Sequence, residues 1–143
     1  MCLIIDANVV HRIFPSPSED HRPIRDALAN RAATLVYGGE LKREYSRINW
    51  FRPFLRRLDQ TGAAKIVPDS EVDAKSEALQ VAGGYLSDDP HILALALITK
   101  VRLLCSEDNN LTMDFTNRDI INTPRGNVYR RAKHAHLIRK HCR

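Results

Sequence analysis

The sequence predicts an α/β fold: a three-layer sandwich around a central, mostly parallel sheet of four to five strands. Short apolar runs that suit buried strands alternate along the chain with longer segments of helical periodicity. Residues 90–100 are apolar on nearly every side, as expected of a central buried helix. With 143 residues, 43% of them hydrophobic, the chain is long enough to bury a core and is not globally disordered.

The first elements are a strand and two helices. Residues 2–5 form an isoleucine-rich run that predicts a buried strand. Asp6 or Asn8 then caps a short helix that continues to Phe14. After a proline-containing loop, apolar spacing predicts a second helix over residues 21–31.

The middle of the chain continues the alternation. Residues 34–37 predict the second strand, which Gly38-Gly39 closes. Apolar residues at helical spacing follow over 41–58, and Pro53 divides them into two helices. A third short strand is predicted at 65–67.

The last elements of the motif-bearing region are the clearest. A helix is predicted over residues 69–82 because Gly83-Gly84 follows it. Asp89 and Pro90 suit the cap and the first turn of the apolar helix. A fourth strand is predicted at 101–105, and Ile120-Ile121 is interpreted as a fifth.

Charge divides the chain into residues 1–115 and a basic C-terminal extension, 116–143, expected to hold one edge strand and a tail. The extension has eight basic residues and one acid, a net charge of +7. Residues 1–115 hold 14 basic and 16 acidic groups. Such asymmetry favours a polyanionic partner, of which RNA and DNA are the commonest, although a tail kept soluble by its charge is the simpler alternative.

Cysteine content and hydropathy suggest a location. The three cysteines are odd in number and form no CxxC motif, which argues against a disulfide framework or a structural zinc site. We therefore expect reduced thiols, a cytoplasmic protein and inert Cys2 and Cys105 in buried strands. The longest apolar run, 92–99, is too short to span a membrane.

Carboxylates follow the predicted strands where an α/β sheet collects its functional groups. Asp6 follows the first strand, Asp108 follows the fourth, and Asp89 opens the helix that leads into the fourth. Glu40 and Glu44 lie on one face of the helix after the second strand. Such a cluster stays ionised only with a cation, and oxygen ligands select Mg²⁺ or Mn²⁺.

Four motifs together resemble those of PIN-domain ribonucleases, and they cover most of residues 1–115. They are LIIDANV (3–9), LVYGGELKREYSRI (35–48), SDDPHILALAL (87–97) and LLCSEDNNLTMDF (103–115). The resemblance implies a parallel α/β sandwich and metal-dependent endonucleolytic cleavage of RNA. Many small prokaryotic members are toxins, so it also implies a possible antitoxin partner and a possible homodimer.

The resemblance also implies the site residues. The catalytic set is Asp6, Glu44, Asp89 and Asp108, and the metal ligands are Asp6, Asp89, Asp108 and Asp114, with Mg²⁺ or Mn²⁺ as the cofactor. Ser106 and Asn8 are expected to support the site. RNA binding is assigned to the extension, at Arg125, Tyr129, Arg130, Arg131 and Lys133.

Several alternatives stay open at the level of sequence. Glu40 competes with Glu44, Glu107 with Asp108, and Asp88 with Asp89. His91 is interpreted as a packed, hydrogen-bonded histidine rather than a ligand. For the whole protein, the competing hypotheses are a non-catalytic RNA- or protein-binding module on the same fold and an RNA-processing nuclease without an antitoxin.

Overall fold

The computed structural model of the chain describes residues 1–142, and Arg143 of the basic extension lies outside them. It confirms an α/β fold with short parallel strands and flanking helices. The strands are β1 (Ile4–Ile5), β2 (Leu35–Gly38), β3 (Ala64–Val67), β4 (Leu103–Cys105) and β5 (Asn127–Tyr129). The helices are α1 (Val10–Ile13), α2 (Arg22–Ala29), α3 (Glu40–Ser46), α4 (Arg52–Thr61), α5 (Asp69–Ala82), α6 (Pro90–Thr99), α7 (Asn109–Phe115) and α8 (His136–His141).

The sheet is parallel and divides into two parts. One part has the order β1-β4-β5 and the other pairs β2 with β3. An isolated parallel bridge between Leu3 and Leu35 brings β1 beside β2. The spatial order is therefore β3-β2-β1-β4-β5, and the chain changes direction across the sheet between β1 and β4. In open α/β sheets, the carboxyl ends of the strands at such a point are where ligands bind.

The core lies between the sheet and its helices. Residues 92–96 of α6 are completely buried, as the apolar sequence of this helix predicts. Glycines set the close approaches: a Cβ on Gly38 would lie 2.5 Å from the carbonyl oxygen of Val67, so β2 and β3 approach there only because the side chain is absent. Across residues 1–142, no helix is long and apolar enough to cross a membrane.

The basic extension is folded onto the sheet, and the strand predicted in it is in the wrong place. Residues 120–121 lie in a turn, whereas Asn127–Tyr129 form β5 and pair with β4. Ile121 is nonetheless fully buried. Its apolar character thus reflects packing against the core, while the hydrogen-bonded strand forms six residues later.

The expectation of reduced thiols is also wrong. Cys2, at the entrance to β1, forms a disulfide with Cys142, directly after α8. The bond joins positions 140 residues apart, so spacing alone did not indicate the pairing. The cysteines therefore do not indicate a cytoplasmic location, which stays a prediction. Cys105 is buried in β4, as predicted, and burial raises the pKa of its thiol well above the usual range.

Candidate active site

Asp6 forms the centre of the site. It follows β1, caps the helical turn 7–9 and is only 3% exposed. One carboxylate oxygen accepts the backbone N–H of Asn8 at 3.3 Å, and the other accepts the hydroxyl of Ser106 at 2.9 Å. Asn8 thus supports the site through its backbone, since its side chain is exposed.

Ser106 links the ends of β1 and β4. Its hydroxyl donates to Asp6 and accepts the backbone N–H of Asp108 at 3.1 Å. The side chain of Asp108 caps α7 by accepting the N–H of Leu111 at 2.9 Å. Because Ser106 is fully buried, this link fixes the separation between two acidic residues that are about 100 positions apart in sequence.

Glu44, Asp89 and His91 form the second part of the site. Each offers one ligand atom, and these atoms all lie within 4.8 Å of one another. The Nε2 atom of His91 is 2.9 Å from Oε1 of Glu44. Asp89 begins α6, but its side chain makes no capping hydrogen bond. Its carboxylate is therefore not committed to the helix.

The two parts of the site act on each other electrostatically. Burial raises the pKa of Asp6, and the charges of Glu44 and Asp108 raise it further, against the hydrogen bonds from Ser106 and Asn8. Burial, with the charges of Asp6, Glu44 and Asp108, raises the pKa of Asp89 to about 6, while His91 opposes the shift. Four carboxylates, of which Asp6 is buried and the other three are partly exposed, thus act on one another, and a cation placed between them would be stabilised.

The structure distinguishes the acids that the sequence left open. Glu40 pairs with Arg43 at 3.2 Å and with Arg47 at 3.1 Å, and it is not among the ligand atoms grouped within residues 1–142. Glu107 pairs with Arg12 at 2.7 Å. Asp88 is exposed and lines a cleft of about 790 Å³ beside α3, α5 and α6. Glu40 and Glu107 are thus held in ion pairs, and the assignment of Glu44, Asp108 and Asp89 to the site stays a prediction.

Asp114 has a task that the sequence did not reveal. It is 2% exposed, and its carboxylate accepts the backbone N–H groups of Leu86 and Ser87 at 2.8–3.1 Å. It does not belong to the group of ligand atoms formed within residues 1–142 by Glu44, Asp89 and His91. These contacts place Asp114 as an anchor of the loop that leads to Asp89.

His91 is buried and hydrogen-bonded, as the sequence interpretation held, but its position within the acidic group was missed. The signal available was its place two residues after Asp89, at the start of an otherwise apolar helix. The pairing with Glu44 joins residues 47 positions apart, and sequence spacing does not show such a contact.

The residues of the extension that were predicted to bind RNA differ in how exposed they are and in what they contact. Tyr129 is fully buried and donates its hydroxyl to the carbonyl of Asp20, so the prediction that it stacks on a base is wrong. Arg130 donates to the carbonyl of Glu107 at 2.8 Å, and Arg125 donates to that of Thr116 at 2.7 Å. Arg131 and Lys133 are exposed.

Comparison with known families agrees with this geometry. The family model of the PIN domain matches residues 3–113, which contain the four acids and four of the five strands. The chain belongs to the PIN-domain family. No curated protein and no solved structure gave a match. The PIN domain supports a nuclease-type fold, and its members generally use divalent metal ions.

The donor set of this PIN domain fits such an ion. Carboxylate oxygens from Glu44 and Asp89 suit Mg²⁺ and Mn²⁺, and the imidazole nitrogen of His91 adds a ligand that Mn²⁺ accepts more readily than Mg²⁺. Burial first, and then the neighbouring negative charges, raise the pKa of Asp89, and a bound cation would oppose this rise.

Proposed function

We propose that the protein is a divalent-metal-dependent endoribonuclease that hydrolyses phosphodiester bonds of RNA. The convergence of Asp6, Glu44, Asp89 and Asp108 at the point where the sheet changes direction carries this proposal. Four acids brought together in one partly buried region repel one another unless they serve a ligand, and the PIN family supplies the class of reaction.

Some residues of the site would bind the ion, and others position the residues that bind it. Glu44, Asp89 and His91 would hold a divalent ion, and Asp6 and Asp108 would bind it directly or through water. A divalent ion held there would supply charge neutralisation for the approach of a phosphodiester and a more acidic water for in-line attack. Ser106 keeps Asp6 oriented and fixes the backbone at Asp108. In this scheme no side chain acts as the nucleophile.

The test is cleavage of total RNA in the presence of Mn²⁺, with and without a chelator. We expect the chelator to stop cleavage. Asp6→Asn should reduce the rate at least about 100-fold, since even changes to residues that only support a metal site cost 10–100-fold. Cleavage that ignores the chelator would contradict the proposal.

Glu44→Gln and Glu40→Gln form a matched pair for the same assay. They remove the same charge from one helix, four residues apart, but only Glu44 meets the acidic group. We expect a loss of at least about 100-fold for Glu44→Gln and nearly the wild-type rate for Glu40→Gln. The reverse pattern would show that the catalytic role has been assigned to the wrong glutamate of this helix.

The toxin role, the antitoxin and the homodimer stay predictions from the family resemblance. The adjacent reading frame is the direct check of the first two: a small partner gene supports a toxin, and its absence favours an RNA-processing enzyme.

A further inference from the structure

A second concave surface lies between α2 and α4, apart from the acidic site. This α2–α4 groove has a volume of about 530 Å³, and its floor is apolar, with Phe14, Leu28 and Leu58 buried beneath it. Its rim carries three arginines: Arg25, Arg31 and Arg57. An apolar floor under a cationic rim suits a ligand that has both flat apolar parts and negative charge.

Arg25 provides a fixed planar surface in the groove. Its guanidinium carbon lies 4.5 Å from the ring centroid of Phe14 and 5.7 Å from that of Phe54. It also donates to the carbonyls of Ile13 at 3.0 Å and Pro15 at 2.8 Å. The side chain is therefore held by two carbonyls and stacked on two rings before any ligand arrives.

Arg31 and Arg57 remain available to an anion. Both are exposed, and neither takes part in an ion pair found within residues 1–142. Arg57 is close enough to Arg25 for its charge to help lower the pKa of that guanidinium. Asp26 acts on Arg25 in the opposite sense, so the free positive charge of the rim lies at Arg31 and Arg57.

An aromatic surface continues beyond the groove. Phe14 and Phe54 have ring centroids 5.4 Å apart, and Trp50 meets Phe54 edge-on at 6.4 Å. Trp50 is 41% exposed and lies just after α3, the helix that carries Glu44. At the other end, the helical segment 7–13 connects Phe14 to Asp6, a path of about 12 Å at 1.5 Å per residue.

We propose that the α2–α4 groove binds single-stranded RNA beside the scissile bond, with phosphates at Arg31 and Arg57 and bases against Phe54 and Trp50. The inference rests on the proposed function. Proteins bind single strands by combining a positively charged groove with aromatic side chains on which bases stack. An acidic protein segment would use the charges, but it has no need of the flat surface that extends from Arg25 to Trp50.

The experiment measures RNA binding by the full chain carrying Asp6→Asn, so that the RNA stays intact. The probe is a fluorescein-labelled oligoadenylate of about ten nucleotides, followed by anisotropy over a salt series. Arg31→Gln with Arg57→Gln should weaken binding about tenfold and reduce the slope of log K against log salt by about 1.4, for two phosphates on a single strand. Trp50→Ala should weaken binding about fivefold or more.

Two controls make the result specific. Lys65→Gln with Lys75→Gln removes the same charge from exposed positions on β3 and α5, and it should change neither the affinity nor the slope appreciably. Trp50 is the only tryptophan, so RNA should also change the intrinsic fluorescence of the Asp6→Asn protein and of the lysine variant.

The inference is overturned if the arginine variant binds RNA like the lysine control. It is also overturned if an oligoglutamate peptide displaces the RNA and changes Trp50 fluorescence at similar concentrations, because the groove would then be a site for acidic protein segments. Cleavage by the chain with Asp6 intact is measured separately. If the groove substitutions weaken RNA binding as expected but the chain with Asp6 intact does not cleave RNA, only the proposed function is refuted. If that chain cleaves RNA but the arginine variant keeps its affinity for RNA, only the proposed role of the groove is refuted.

Discussion

Asp89 is a residue whose ionised form the metal-free fold disfavours, although a metal ligand needs that form. Its carboxylate is held near Asp6, Glu44 and Asp108 without a capping bond in return. The pKa of Asp89 in the folded protein is about 6, against an ordinary value of 3.8. The folded state therefore binds a proton at Asp89 more tightly than the unfolded state does.

The sign of the pH dependence follows for the metal-free protein. Because the folded pKa is raised, the contribution of Asp89 to stability is fully present below about pH 4 and is lost as the pH rises through 6. Asp89→Asn should raise the melting temperature above that of the wild type at pH 7 and flatten this decline. Thermal unfolding in chelator at several pH values measures both effects.

Asp88→Asn is the matched control for this measurement, since Asp88 is exposed and adjacent in sequence. It should leave the decline between pH 4 and 6 unchanged. If Asp89→Asn shows the same decline as the wild type, another group must be responsible for it.

The sequence predicted which residues belong to the site better than it predicted which side chains they contact. Asp6, Asp89 and Asp108 each stand at the end of a strand or the start of a helix, and local patterns reveal such positions. Glu44 and Glu40 could not be separated in this way, because they share a helix face. His91 on α6 distinguishes them, since it bonds to Glu44 while two arginines bond to Glu40.

At the scale of elements, α7 is hydrogen-bonded to the loop that precedes Asp89. Asp114 on α7 accepts both N–H groups at residues 86–87, three positions before α6 begins. Asp114→Asn weakens the acceptor of two backbone N–H groups, of which that of Ser87 is buried, so we expect a loss of about 1–3 kcal/mol in the free energy of unfolding. Urea denaturation measures this loss directly.

The same variant tests whether Asp114 is a metal ligand, as the family resemblance implies. An ion that binds only the folded state adds about 2.7 kcal/mol of stability at 100 times its Kd. If Asp114 only anchors the loop, Mn²⁺ should stabilise Asp114→Asn nearly as much as the wild type. If the stabilisation by Mn²⁺ disappears, Asp114 does bind the ion.

The strands show why prediction succeeded for β2, β3 and β4 and failed for β5. β2 and β4 coincide with continuous apolar runs, and such runs identify strands buried on both faces. β3 also lies where it was predicted, although its two middle residues, Lys65 and Ile66, are exposed. β5 holds only Val128 and Tyr129 as apolar residues, and its pairing depends on β4. A local pattern therefore selected Ile120-Ile121, whose burial arises from packing rather than from strand pairing.

At the scale of the molecule, the extension closes the fold instead of trailing from it. It supplies β5, packs α8 against the sheet and ties its last residues to the start of β1. Removing it to test RNA binding would also remove a strand and the disulfide. Point substitutions at the exposed Arg131 and Lys133 are therefore the appropriate test of its charge.

The disulfide between Cys2 and Cys142 should be a major contributor to stability. It closes nearly the whole chain into one loop of 140 residues, and restricting so long a loop in the unfolded chain is worth about 5 kcal/mol in the chain-entropy treatment. Cys2→Ser with Cys142→Ser should lower the free energy of unfolding by up to that amount. Urea denaturation of the wild type in reductant should give a similar loss, whereas reductant should not affect the double variant.

Thiol counting checks the pairing independently. Unfolded in denaturant without reductant, the wild type should expose one thiol, that of Cys105, and with reductant it should expose three. Three thiols without reductant would mean that the bond does not form. One thiol together with equal stability in the oxidised and reduced states would mean that the bond forms but does not stabilise the fold. The expected pair of results, one thiol and a lower unfolding free energy on reduction, would establish that the bond between Cys2 and Cys142 forms and that it stabilises the fold by joining the start of β1 to the end of α8.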